Sequence, residues 1–492
     1  MIFCIKTAAR IRQCIVFLFF TFVIFVNSEF IHAQLILPTL QKNEAKVLIH
    51  PNLIGTWKSI GNSYVLEADS SQINLYSTTS QHCYLEKNDY LSELLNNSAR
   101  FSLNPDQDTL SIFLHDFGDK TKQLQTENKY VRLNGLPNHC ISLSAQQKDD
   151  PEFLFELFWL TLSENYANAY ERNLNWNQIY LDYRPKISQN STHYDLFEVM
   201  GEIAILTKDQ HTRIVSQEGE TRQYRGERTS RLLKESFDQQ KDINNFEHYI
   251  SEFFYSSYKN ISNELLLGKG KKVANGKIEW GDLTPTIGYI HVHSMARFTS
   301  NELSRKQHID TLNFHMEQIM KSFQGKKAIL IDVSFNFGGY DAAGLTISSY
   351  FTDKPVPAYT AYKFQEGEYL KGSLFTVTPA PRYTFTKPVY VMTTDISRSA
   401  AESFAIQMKS LPHVKLVGTN TLGILSNGLN KSIGDYWLTL SNEKYLTPQG
   451  KMYEVTGVDV DINLEVFRKE DMFNSHKDAV REIVEIIEKE IK

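Results

Sequence analysis

The sequence predicts a multidomain α+β protein: a small N-terminal antiparallel β domain, a helical bundle, and an α/β core. Three observations carry this expectation. Residues 50–145 hold short alternating segments separated by polar turn clusters, such as Ser63 to Glu67, Gln72 to Tyr76 and Thr109 to Leu114, the pattern of a small barrel or sandwich. At Asp150-Pro151 the texture changes to apolar residues at helical spacing. From Ile287 onward, continuous apolar runs of strand length alternate with helical stretches, as expected of a mostly parallel sheet covered on both faces.

Length and charge limit the function classes. The chain has 492 residues, 41% of them hydrophobic, enough for two or three cored domains. With 52 Lys+Arg against 57 Asp+Glu and a net charge of -5, it has no overall basic field for nucleic acid, and it is too apolar to be a disordered chain.

Residues 1–33 read as a secretory signal peptide. Lys6, Arg10 and Arg12 precede the apolar run Ile15 to Val26, and small residues follow at Ser28 and Ala33, the preferred cleavage point. The run would rise about 18 Å as a helix, short of the roughly 30 Å bilayer core. No membrane span is expected after cleavage, and the protein is expected to be exported to a periplasm, cell envelope or medium. Cys83 and Cys140 are then the only remaining thiols, and in an oxidising compartment they are expected to form a disulfide, two buried free thiols being the alternative.

In the bundle, residues 150–213, Asp150 caps a helix with Pro151 at its first position, followed by Phe153, Leu154, Leu157, Phe158, Thr161 and Leu162. A second helix, capped by Thr192 with Asp195 three residues on, places Leu196, Val199, Met200, Ile203 and Leu206 on one face. It delivers the chain to Asp209-Gln210-His211-Thr212. Residues 214–284 read as a variable insertion, a polar excursion and then a helix. The core, residues 285–490, holds strands at Ile287 to Val292, Ala328 to Val333, Val389 to Thr393 and Val414 to Val417, and helices near 301–322, 399–410 and 475–491.

Two strand ends in the core carry residues fit for chemistry. Ala328 to Val333 runs into Ser334-Phe335-Asn336-Phe337-Gly338-Gly339, where adjacent glycines let backbone N–H groups turn outward. Val389 to Thr393 runs into Ser397-Arg398-Ser399-Ala400-Ala401-Glu402, which sets Ser399 at a helix N-terminus, where unpaired N–H groups and the helix dipole stabilise an oxyanion.

These motifs, with Val417-Gly418-x-x-Thr421-x-Gly423 and Gly457-Val458-Asp459-Val460-Asp461, resemble the C-terminal processing (tail-specific) serine peptidase family. The resemblance implies a Clp-protease/crotonase-like core, Ser399 as nucleophile, and oxyanion donors from Gly338, Gly339 and Ala400. Ile424 stands where one branch has its catalytic lysine, so a Ser-Lys dyad is disfavoured. Asp209-Gln210-His211-Thr212 resembles the histidine turn of the tricorn-core and retinoid-binding-protein-like branch, which implies His211 as base and Glu454, just before Gly457-Val458, as the residue that orients it. Val460 replaces that branch's usual proline, and Ser334 stands where the family often has arginine. A PDZ domain is not recognisable between His211 and Ile287.

The expected function is therefore a serine endopeptidase acting on peptide or protein substrates through an acyl-enzyme. No cofactor and no metal are expected: His291 and His293 alternate on a strand, but no third ligand is indicated. The alternative is a catalytically silent peptide-binding protein on the same fold, distinguished by whether Ser399, His211 and Glu454 converge.

Overall fold

The computed structural model describes residues 49–86, 100–114, 126–300 and 304–492; the signal-peptide reading of residues 1–33 lies outside them. Residues 55–141 contribute one eight-stranded sheet in the order Arg100–Leu103, Thr109–Leu114, Thr126–Leu133, Gly55–Ile60, Tyr64–Ala68, Ile73–Thr78, Cys83–Leu85, Cys140–Ile141. Its pairs are antiparallel except the last, in which Cys83 stands opposite Cys140 and is joined to it by a disulfide. His139 lies beside these cysteines, whose sulfurs are spent in the disulfide and offer no thiolate to a metal.

The helices begin where their caps predict. Asp150 accepts from the N–H groups of Glu152 and Phe153 at the start of Pro151–Asn165, and Thr192 forms a capping box with Asp195 at the start of His193–Leu206. These helices do not form a core of their own. Leu154, Phe158, Leu196 and Met200 share one apolar cluster with Trp57, Leu66, Leu110 and Tyr130 of the β domain and with Leu429, Leu438 and Leu440 far along the chain. Polar groups reinforce that union. Lys431 Nζ donates to the carbonyls of Asn62 and Ser63 at 2.8 and 2.6 Å, while buried Glu86 accepts from the N–H and hydroxyl of Ser432 at 3.0 and 2.5 Å.

The central sheet has seven strands in the order Lys271–Val273, Ile278–Asp282, Ile287–Val292, Ala328–Asp332, Val389–Thr393, Val414–Gly418, Ile462–Asn463. The last five run parallel and the first two antiparallel. One face packs on the helices Arg305–Ser322, Asp341–Ser348 and Ala400–Lys409, and the other on Phe246–Asn260 and Ser475–Glu490. The continuous apolar strands are thus buried on both faces, as their composition requires.

The expected Clp-protease/crotonase-like core is corrected by this architecture. Two further antiparallel sheets are woven into the region, and neither was anticipated. One runs Thr221–Gln223, Arg213–Val215, Tyr436–Ser441, Gly428–Ile433, and the other joins Val356–Gln365 to Ser373–Val377 and Glu443–Leu446. The result is a multidomain α+β arrangement of sheets and helices rather than one α/β unit with appended domains. Among the described residues, no helix is long and apolar enough to cross a membrane.

Candidate active site

Ser399 stands between the strand Val389–Thr393 and the helix Ala400–Lys409, with φ 56° and ψ -125°. That is a left-handed backbone for a residue with a side chain, and such strain persists only where surroundings impose it. The surroundings are specific. Ser397 Oγ donates to the Val333 carbonyl at 2.7 Å and accepts from Thr394 N–H, so it is a buried tie rather than an available hydroxyl. Arg398 N–H donates to the Asn336 carbonyl and Ser399 N–H to the Ile424 carbonyl, each at 3.2 Å.

Glu402, in the first turn of that helix, completes the clamp. Its carboxylate accepts from Thr421 Oγ1 at 2.6 Å, Gly423 N–H at 2.7 Å, Ile424 N–H at 2.9 Å and Ser399 N–H at 3.2 Å. Burial pushes it up to about 7, against the pull of these donors. The 421–424 loop is packed in turn on residues 453–457: a Cβ on Gly457, at φ +72°, would sit 1.9 Å from the Thr421 carbonyl oxygen.

The glycine turn lies against the serine. A Cβ on Gly338, at φ +96°, would come within 2.7 Å of the Arg398 carbonyl oxygen, 2.8 Å of Ser399 Cβ and 3.0 Å of Ala400 N. Only glycine permits this approach. The Gly338 N–H is donated to Asn336 Oδ1 at 2.8 Å. The bridge between Met295 and Gly339 uses the Gly338 carbonyl and the Tyr340 N–H, leaving the Gly339 N–H outside that ladder. Ala400 opens its helix, so its N–H has no intrahelical acceptor.

His211 is set by the short strand that follows it, since Arg213–Val215 pairs with Tyr436–Ser441. Asp209 shapes the turn by accepting from His211 N–H at 2.8 Å and from Thr212 Oγ1 at 3.0 Å. Arg398, the neighbour of Ser399, donates to Gln210, the neighbour of His211, at 2.5 Å and to Glu227 at 3.2 Å. Burial pushes the imidazole down to about 4; the Asp209 carboxylate and a hydrogen bond to the Ser426 backbone oppose this, while Arg213 and Arg398 add to it. Its Nδ1 is buried without a hydrogen-bond partner.

Glu454 is buried nearby. Its carboxylate accepts from Arg172 Nη2 at 2.7 Å and from Leu425 N–H at 2.9 Å. Burial pushes it up to about 7, Arg172 pulls it down, and Asp209 adds to the rise. Three consecutive residues thus touch the three predicted ones: Ile424 bonds Ser399, Leu425 bonds Glu454, and the Ser426 backbone bonds His211.

Two groups of functional interest carry no role in the sequence reading, although Asp332 opens the strand-end motif Asp332-x-Ser334-x-Asn336-x-Gly338-Gly339. Arg172 gave no signal beyond being one arginine in a polar stretch. Asp332, at the strand end leading to the glycine turn, accepts from Tyr289 Oη at 2.6 Å, shares 2.8 Å with His476 Nε2 and accepts from Ser334 N–H at 2.9 Å. The rings of His291 and His293 lie 3.9 Å apart and that of His476 lies 6.2 Å from His291, but their nitrogens are not among the convergent ligand sets of the described residues.

A strained serine opening a helix, a glycine turn packed against it and a histidine turn bridged to it through Arg398 stand together here, and sequence comparison shows homology to serine-type peptidases. Residues 286–464 match the model of peptidase family S41, and residues 147–204 that of the tricorn protease C1 domain. These stretches of the chain thus resemble the S41 and tricorn-related C-terminal processing peptidases. It is 27% identical over 184 residues to the carboxy-terminal processing protease CtpA of Bacillus subtilis (strain 168), a match covering 37% of this chain and 35% of that one. The chain thus matches about a third of that relative's length. A putative peptidase from Parabacteroides merdae ATCC 43184 superposes with a TM-score of 0.54 at 20% identity, over 68% of this chain and 96% of that one. Mature CPAF does so at 0.50 and 12%, over 70% and 98%. These two likenesses show a fold shared with those structures, and the multidomain α+β architecture replaces the Clp-protease/crotonase-like expectation.

Proposed function

We propose that this chain is an exported serine endopeptidase that hydrolyses peptide bonds of peptide or protein substrates through an acyl-enzyme. Ser399 Oγ attacks the scissile carbonyl while His211 takes its proton; the tetrahedral oxyanion is held by the N–H groups of Ala400 and Gly339. His211 then gives that proton to the leaving amine, and water repeats the sequence on the ester to release the acid. Glu454 is the acidic member that orients the base, and Gly338 provides the close approach between the turn and the serine. The observation that carries this reading is the Ile424-Leu425-Ser426 segment, whose successive residues bond Ser399, Glu454 and His211.

The alternative, a peptide-binding protein without turnover, draws support from one feature: His211 Nδ1 has no partner, and both Glu454 oxygens have acceptor roles elsewhere. Fluorophosphonate labelling of the purified protein separates the two. The expected result is one adduct, mapped by peptide mass to Ser399, absent in Ser399→Ala and slowed at least about a thousandfold in His211→Ala. A folded wild-type protein that takes no label would favour the binding reading.

A further inference from the structure

The cation that touches the most parts of this site is one to which no role has been assigned. Arg172 follows the helix Pro151–Asn165, and its side chain is only 5% exposed. Nη1 donates to the Lys208 carbonyl at 2.8 Å; Nη2 donates to the Gly423 carbonyl at 3.2 Å and to Glu454 Oε1 at 2.7 Å. Lys208 is in the turn that carries His211. Gly423 is in the loop whose next residue accepts from Ser399 N–H, and Glu454 is the acidic member itself. A single planar fork therefore joins the base side, the nucleophile side and the acid.

The charges around it make the arrangement informative. Asp209 and Glu454 are both buried, and both interact with Arg172; the Tyr166 hydroxyl donates to Asp209 Oδ2 at 3.2 Å. Arg172, with His211, holds Asp209 below the usual carboxylate range against the cost of its burial. The carboxylate beside His211 is thus Asp209, whereas Glu454 faces the guanidinium. A buried ion pair adds little net stability because desolvation offsets it, so fixing geometry is the better account of why this pair is here.

We propose that Arg172 is a positioning residue of the Ser399–His211 site: it locks the His211 turn, the Gly423 loop and Glu454 into one frame, and Glu454 acts on His211 through Arg172 and Asp209 rather than by touching the ring. This rests on the serine-peptidase reading above. Lysine at the position would retain a charge but could not span three acceptors in one plane.

The test compares fluorophosphonate labelling rates of the full chain as wild type, Arg172→Ala, Arg172→Lys, Glu454→Gln and the Arg172→Ala/Glu454→Gln double variant, each checked for folding by thermal melt. Arg172→Ala is expected to slow labelling about a hundredfold, the loss typical of a misplaced catalytic group. Arg172→Lys should recover only part of it, the double variant should be no slower than the slower single one, and millimolar guanidinium should speed Arg172→Ala at least about tenfold by refilling the vacated site. If Arg172→Ala does not fold, Glu454→Gln carries the test through a labelling loss of at least about tenfold. Wild-type labelling at Ser399 with a folded Arg172→Ala or Glu454→Gln within twofold of it would overturn the inference alone, as would fully multiplicative losses in the double variant. A wild type that takes no label would bring down the serine-peptidase reading, and this one with it.

Discussion

The two turns that meet at the site are held by different means. Ser399 is fixed by short-range backbone geometry: a glycine with no room for a Cβ on one side, and a glutamate accepting four hydrogen bonds on the other. His211 is held by the pairing of the strand that follows it and by a network of charged and polar groups: its N–H bonds Asp209, Arg398 bonds its neighbour Gln210, and Arg172 links its turn to Glu454. Steric fixation fails abruptly because packed interiors do not deform continuously. Charge networks fail by degrees, since each member's ionisation depends on the others. The Ser399 side should therefore respond more to single methyl groups, and the His211 side more to pH.

The largest effect expected of that contrast is at Gly338. Adding one methyl there, Gly338→Ala, places a carbon 2.8 Å from Ser399 Cβ on a backbone of positive φ. Labelling should fall at least about a hundredfold, with about 1–3 kcal/mol lost from stability in a denaturant titration. A variant that labels at the wild-type rate would show that the serine side is as forgiving as the base side.

The pH response should be smaller and smoother. An ordinary histidine is about 90% protonated at pH 5.5, whereas His211, pushed down to about 4 by burial and the nearby arginines, should be mostly neutral there. Labelling at pH 5.5 is expected to keep more than half its plateau value. An acid limb near 7 would instead assign the rate to ionisation of Glu454 or Glu402, each of which burial pushes up to about 7. The linked stability effect has a definite sign. The folded pKa of His211 lies below its unfolded one, so the unfolded chain binds the proton first and this contribution is lost as pH falls from about 6.5 to about 4.

The smallest effect on chemistry should come from the disulfide, which closes a separation of 57 residues far from the serine in sequence. Cys83→Ser/Cys140→Ser should cost about 2–5 kcal/mol of stability and leave the labelling rate of the folded fraction within about twofold. A larger change would mean that the β domain transmits strain to the site.

What the sequence made legible follows the same division. The serine and glycine turns could be read because they are local: a strand end, a helix start and adjacent glycines lie within a few residues of one another. The caps at Asp150 and Thr192 marked their helices for the same reason. Pairings across long separations left no local trace. Arg213–Val215 finds its partner in Tyr436–Ser441, and no periodicity near either segment reports the other. The bundle read at 150–213 shares its core with strands from both ends of the chain, and Ile278–Asp282, in the stretch read as insertion, is a strand of the central sheet. Arg172 was invisible because its three acceptors come from segments separated in sequence.

That long-range pairing has a consequence for the order in which the protein becomes complete. The turn bearing His211 is made early, yet its sheet partner is Tyr436–Ser441, and Glu454, bonded to the same arginine as that turn, is later still. Chains are synthesised from the N-terminus. A nascent chain therefore carries the proposed base before the sheet partner of its turn and Glu454 exist, and truncated forms ending before residue 454 lack part of the proposed site.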